Sequence, residues 1–115
     1  MAKILLVGLE HRLADELSNV LQQLGQSVQT AVLGSGALET SDVNLVFAES
    51  DDLGAIRRIR PDLPVVVVSR LPEVSAWLDA LEQGAADYCG APFERKQVGW
   101  VLKSSLAPVA TAAAA

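Results

Sequence analysis

The sequence is poor in cysteine, in aromatic residues and in long apolar runs. Its 115 residues include a single cysteine, Cys89, which cannot form an internal disulfide. Cys89 lies in an apolar stretch with no cation or histidine nearby in sequence, so we predict a buried packing residue and not a reactive thiol. The N-terminus has no apolar run long enough for a signal peptide or a membrane span. We therefore expect a cytoplasmic protein without a membrane partner.

Basic residues are outnumbered, with nine Lys and Arg against 14 Asp and Glu and a net charge of −5. Proteins that bind nucleic acid normally present a basic face to the phosphate backbone, so direct nucleic-acid binding is not expected. Half of the residues are hydrophobic and a fifth are charged. At this length, that composition is typical of one compact globular domain.

Apolar stretches typical of buried strands alternate with segments of helical periodicity. The clearest strand is the VVVV run at 65–68. Ser50 is predicted to cap a helix with Asp51 and Asp52 in its first turn. Strands are predicted at 3–7, 26–33, 44–48, 65–69 and 86–90. Helices are predicted at 13–24, 37–40, 50–59, 72–84 and 93–106, with Val74, Trp77, Leu78 and Leu81 on one face of the fourth.

Five strands alternating with five helical segments predict a parallel sheet with helices on both faces. In such sheets the functional site lies at the carboxyl ends of the strands, where the strand order switches. That rim would be formed by residues 8–10, Glu49 and Ser69, with Ala91 near the end of the fifth strand.

Four segments in a fixed order resemble the receiver domains of two-component response regulators. The strongest is ALEQGAADYCGAPF at 80–93, which is similar to the family pattern A-x-x-x-G-A-x-D-Y-x-x-K-P-F. The others are TAVLGSGALE at 30–39, NLVFAE at 44–49 and PVVVVSR at 64–70.

The resemblance implies a flavodoxin-like (βα)5 fold, a doubly wound five-stranded parallel sheet in three α/β/α layers. We expect a receiver-like domain over 1–106 and a disordered Ala-rich tail over 107–115.

In this family an aspartate at the end of the third strand accepts a phosphoryl group from a kinase phosphohistidine, with help from Mg²⁺. The resemblance also implies two metal-binding acids after the first strand. A lysine before the late proline pairs with the phosphoryl group. A Ser or Thr and an aromatic residue then report the phosphorylated state.

Most of this apparatus is missing here. The two acid positions are Gly8 and Leu9, and Glu10 matches a less critical third position. The phosphoacceptor position is Glu49 and the lysine position is Ala91. We therefore expect Mg²⁺ binding and phosphotransfer to be weak or absent, with no cofactor and no enzymatic activity.

Part of the readout apparatus remains. Ser69 and Tyr88 match the two switch positions. Trp100 lies about 200° around the helix from Val98 at roughly 100° per residue, so we expect it to be off the core stripe. Trp100, Val101 and Tyr88 would lie on or near the face of helix 4, strand 5 and helix 5, which this family uses for dimerisation or partner binding. The alternative is that the Ala-rich tail covers Trp100.

The predicted function is that of a degenerate receiver that acts by phosphorylation-independent protein–protein binding. Its partner would be a sensor kinase, an output domain, another regulatory protein or a second copy of the chain. Glu49 is either a mimic of the phosphorylated aspartate or a tolerated carboxylate at an inactive site.

Two other functions stay open. A conventional receiver could accept phosphate on Ser69, Asp51 or Asp52. A small-ligand-binding domain of the same architecture could use the space left by Gly8 and Leu9.

Overall fold

The computed structural model describes residues 2–34, 36–40, 42–69, 74–91 and 93–106, with side chains left out at 37, 40 and 74–77. Strands and helices alternate along the chain as predicted. The strands are β1 (Lys3–Val7), β2 (Ser27–Ala31), β3 (Leu45–Ala48), β4 (Val65–Ser69) and β5 (Asp87–Gly90). The helices are α1 (His11–Gln23), α2 (Ala37–Thr40), α3 (Ser50–Ile59), α4 (Val74–Glu82) and α5 (Arg95–Leu106).

The five strands form one parallel sheet in the order β2-β1-β3-β4-β5. Val7 at the end of β1 lies beside Ala31 of β2 and Ala48 of β3, and Ala48 lies beside Val67 of β4. The strands therefore end together at one edge, and the order reverses between β1 and β3. This arrangement confirms the predicted flavodoxin-like fold.

The central strands are buried on both faces, which explains their continuous apolar runs. Side chains alternate between two cores because successive residues of a strand point to opposite faces. One core, against α2, α3 and α4, includes Leu5, Val7, Val46, Ala48, Val65, Val67, Leu38, Leu53, Ile56 and Ala80. The other, against α1 and α5, includes Ile4, Leu6, Leu45, Phe47, Val66, Val68, Cys89, Leu17, Leu21, Val98, Val101 and Leu102.

Helix α1 buries one apolar stripe and ends two residues before Gly25. Leu13, Leu17 and Leu21 are buried at intervals of four residues. Gly25 takes a φ of +82°, a left-handed conformation that glycine adopts without steric cost, and its amide donates to the Gln22 carbonyl at 3.0 Å.

Two predicted local features are wrong. Ser50 does not cap α3, because Ser50 is already helical and Glu49 occupies the cap position without a side-chain cap hydrogen bond. Strand β2 is shorter than predicted and stops at Ala31. β2 pairs with β1 alone, and Ala31 lies beside Val7, the last residue of β1, so no strand partner continues beyond it.

The apolar residues predicted to share a face of α4 are not all in the core. Ala80 is buried, whereas Leu78 is 51% exposed and Leu81 is 37% exposed. At about 100° per residue, Leu81 points to one side of α4 and Leu78 lies almost opposite Ala80. The predicted start of this helix at Pro72 and the predicted tail at 107–115 lie outside the described residues.

No helix among the described residues is long and apolar enough to span a membrane.

Cys89 is fully buried in the core beside α5, as the sequence predicts. Burial, and secondarily the charge of Asp87, raises the pKa of its thiol from 9.0 to about 12. We expect the folded protein at about pH 8 to react very slowly with a thiol reagent, while the unfolded chain reacts at once. Above pH 9 the unfolded state loses the thiol proton first, so the free energy of unfolding should fall as the pH rises toward 12. Rapid stoichiometric modification of the folded protein would contradict this assignment.

Candidate functional site

The carboxyl edge of the sheet brings most of the predicted rim together. Gly8 follows β1, Glu49 follows β3 and Ser69 ends β4. Ala91 follows β5, and its amide donates to the Ser69 carbonyl at 2.8 Å. Because β1, β3 and β4 are neighbours in one parallel sheet, their ends fix these positions relative to one another.

Glu49, Ser69 and Tyr88 line one cavity of about 290 Å³, which we call the switch pocket. Its charged side chains among the described residues are all carboxylates. The remaining lining residues are Ser50, Asp51, Val67, Val68, Asp79, Ala80 and Gln83. The described lining is therefore acidic and repels anions.

Asp79 and Gln83 were not predicted as site residues. Asp79 lies in α4 and Gln83 directly follows that helix, and both line the pocket together with Ser50 and Asp51 from the start of α3. Leu81 lies about 200° around the helix from Asp79, so it is on the other side of α4 and points away from the pocket. The i, i+4 polar pair was the sequence signal that could have revealed this orientation.

Tyr88 is half-buried, and its ring packs against the core beneath α3 and α4. Its hydroxyl oxygen is buried without a hydrogen-bond partner. Tyr88 thus directs its hydroxyl into the protein and leaves part of the ring accessible. This orientation places the predicted switch tyrosine in the same pocket as Glu49 and Ser69.

Gly8 adopts a φ of +64°, and its amide donates to the Ala31 carbonyl at 2.9 Å. The Asp52 carboxylate lies over it: Asp52 Oδ2 is 2.6 Å from the position that a Cβ at residue 8 would occupy. An acid from α3 therefore fills the space where the resemblance implies a side chain at the end of β1. Sequence reasoning assigned Asp52 only to the helix dipole or to phosphate acceptance and missed this contact.

Leu9 and Glu10 do not enter the switch pocket. Leu9 is half-buried against the core beneath α1 and α5, and Glu10 is exposed at the start of α1. Together with Gly8, Leu9 lines an open groove of about 580 Å³. His11 lines the same groove and pairs with Asp15 at 3.2 Å on the surface.

The residues at the rim do not fit the Mg²⁺ that the resemblance implies. Mg²⁺ requires near-octahedral oxygen ligands, and Leu9 and Gly8 offer no side-chain oxygen. Among the described residues, no three His, Cys, Asp or Glu side chains lie close enough to share a metal ion.

Of the two α5 residues predicted on the partner face, only Trp100 is exposed. Trp100 has 68% of its surface accessible to solvent. The prediction that Val101 contacts a partner is wrong, since Val101 is 4% exposed and belongs to the core beneath α1 and α5. It lies roughly 60° from Val98 around the helix, which keeps it on the inward side.

The relatives found by comparison with known proteins are response regulators and transcriptional regulators. No protein-family model matches the chain. The response regulator FleR of Pseudomonas aeruginosa is 33% identical over an alignment 106 positions long, which covers 83% of this chain and 22% of FleR. The probable transcriptional regulator ycf27 of Cyanidium caldarium is 30% identical over an alignment 118 positions long, which covers 94% of this chain and 47% of that protein.

The fold comparison agrees with the sequence comparison. A response regulator from Thermotoga maritima superimposes with a TM-score of 0.79 at 21% identity, covering 94% of this chain and 99% of that one. The chain spans less than half the length of the two curated relatives.

The contact between Gly8 and Asp52 predicts how the rim responds to a restored acid. Asp and Asn both tolerate a left-handed backbone, so Gly8→Asp and Gly8→Asn carry a similar conformational cost. Gly8→Asp also places a second carboxylate near Asp52, which costs about 1 kcal/mol at roughly 4 Å in water. We expect Gly8→Asp to be less stable than Gly8→Asn by that amount in denaturant unfolding.

The matched control repeats both substitutions in an Asp52→Asn background, where the difference should vanish. An unchanged difference in that background would show that Asp52 does not approach residue 8.

Proposed function

Since this chain is a receiver domain of the response-regulator family, we propose that it acts by protein–protein binding without accepting a phosphoryl group. The observation that carries the proposal is the rim of β1, where Gly8 and Leu9 replace the metal-binding acids and Asp52 closes over Gly8. The proposal assigns no enzymatic step and no metal to this chain. Its unit is the domain over 1–106.

The charge at the rim supports the proposal. Phosphoryl transfer depends on cations that neutralise three phosphate oxygens as charge develops. In the switch pocket an incoming phosphoryl group meets Glu49, Asp51 and Asp79, and Ala91 stands where the family has its lysine. The described residues around the pocket thus oppose the charge that the reaction delivers.

The position of Tyr88 supports a readout that does not wait for phosphorylation. Its hydroxyl is already buried, and its ring already packs on the core beside Glu49 and Ser69. We assign Glu49 a fixed negative charge at this position and no nucleophilic role.

Three exposed apolar side chains supply the binding surface, which we call the α4/α5 surface: Leu78, Leu81 and Trp100. Tryptophan is enriched at energetically dominant interface positions, and the solvent-exposed leucines of α4 add apolar area. The partner is a protein, either a regulatory protein or a second copy of this chain. Leu78 and Leu81 take the place of Val101 in the predicted surface.

Treatment with a phosphoryl donor tests whether the chain accepts a phosphoryl group. After treatment with Mg²⁺ and acetyl phosphate, intact mass should show no phosphate on the wild-type chain. A variant with Leu9→Asp, Glu49→Asp and Ala91→Lys regains a metal ligand, the acceptor and the counter-charge, so a phosphate adduct should appear.

The control carries the same Leu9 and Ala91 changes with Glu49→Asn, and it should show no adduct. A stable phosphate adduct on the wild-type chain would overturn the proposal and favour a conventional receiver.

The surface is tested by Trp100→Ser. Because Trp100 is largely exposed, we expect its loss to change the free energy of unfolding by at most about 0.5 kcal/mol. Self-association measured by sedimentation equilibrium should weaken at least about tenfold, as for loss of an interface anchor. Val32→Ser is the matched control, because Val32 is 72% exposed and lies beyond β2 at the other end of the sheet.

A monomeric wild-type chain at all concentrations would exclude the second copy as partner. Equal weakening by Val32→Ser would contradict the assigned surface.

A further inference from the structure

We propose that a second site, at the opposite edge of the sheet, binds a small carboxylate ligand through Arg57. This inference goes beyond the proposed function and does not depend on it. The site is a cavity of about 760 Å³, here called the amino-end groove, within the range of small-molecule sites. It is bordered by residues that precede strands: Ala2 before β1, Asn44 before β3, Pro64 before β4 and Ala86 before β5.

Arg57 enters the groove from the last turn of α3. Its side chain is half-buried and lies against the backbone of Gly84, with Nε 2.9 Å and Cζ 3.2 Å from the position of an added Cβ there. A residue larger than glycine at 84 would displace the guanidinium. Within the described part of the chain, Arg57 has no hydrogen bond or ion pair.

The one acid among the described lining residues is already neutralised. Asp62 accepts two hydrogen bonds from Arg60, both at 3.1 Å, and this pairing lowers the pKa of Asp62. Arg60 also donates to the Leu38 carbonyl at 3.1 Å, so its guanidinium is held at the groove's edge. Among the described lining residues, the unmatched charge of the groove is therefore the cation of Arg57.

The donor set selects the class of anion. A planar guanidinium binds a carboxylate through two parallel hydrogen bonds. Ser105 lines the same groove, and its hydroxyl oxygen is buried without a partner, so a rotamer change would offer one further donor. Two such groups suit a singly charged carboxylate better than a phosphate, which calls for more donors.

Part of the groove wall is apolar, which defines the rest of the ligand. Pro61, Leu63, Pro64 and Leu106 line the groove beside Arg57. Low-polarity surroundings strengthen an ion pair relative to open water. We therefore assign a carboxylate joined to a short aliphatic chain.

Calorimetric titration with hexanoate at constant ionic strength tests the site. Hexanamide serves as the uncharged analogue and inorganic phosphate as the competing anion. The variant is Arg57→Gln, and its matched control is Arg58→Gln, because Arg58 is the next residue, is exposed and loses the same charge. Arg57→Lys keeps the charge but cannot make two parallel hydrogen bonds to a carboxylate. It replaces Arg57→Gln as the test variant if Arg57→Gln does not fold.

We expect saturable hexanoate binding by the wild type and by Arg58→Gln, and at least about tenfold weaker binding by Arg57→Gln or Arg57→Lys. Hexanamide should not bind. No saturable hexanoate binding by the wild type overturns the site, as does equal binding by the Arg57 and Arg58 variants. Tighter binding of phosphate than of hexanoate overturns the ligand class.

Discussion

Burial of β1, β3 and β4 on both faces is the constraint on which the rest of this structure depends. Each of these strands contributes side chains to both cores, so none can shift its register without moving apolar residues to the wrong face. The strand ends are therefore held in place by the interior. The positions of the residues that follow them, including Gly8 and Glu49, do not depend on any chemistry at the rim.

This separation between core and rim explains how the receiver fold accommodates Gly8 and Leu9 at the end of β1. The residues at the phosphorylation positions are half-buried or exposed and add little to the packed cores. Replacing acids by Gly8 and Leu9 also removes like charges from the rim, and Asp52 then fills the space above Gly8. The same logic applies to the amino-end groove, where the strand starts are fixed and Arg57 lies over Gly84.

The sequence predicts the fold because the short apolar runs of its central strands are uninterrupted and the apolar stripe of α1 is regular. It fails where a side chain is placed by a neighbouring element instead of by its own periodicity. Leu78 and Leu81 fit an apolar stripe, yet α4 rests on the sheet through the smaller Ala80. The contact of Asp52 with Gly8 joins two elements far apart in the chain, and no local pattern encodes it. Val101 shows the opposite error: its position in the sequence predicts a surface residue, but its side of α5 packs into the core.

The loss of the metal site at the end of β1 is tested most directly by titrating the ¹⁵N-labelled chain with Mg²⁺ and monitoring its backbone amides by NMR. In a working receiver the metal is held at the ends of the first and third strands, here residues 8–10 and 49. We expect no saturable shift at these amides, because Gly8 and Leu9 supply no ligand oxygen. Saturable shifts confined to residues 8–10 and 49 would show that this rim still binds the metal and that the proposed loss of phosphotransfer is wrong.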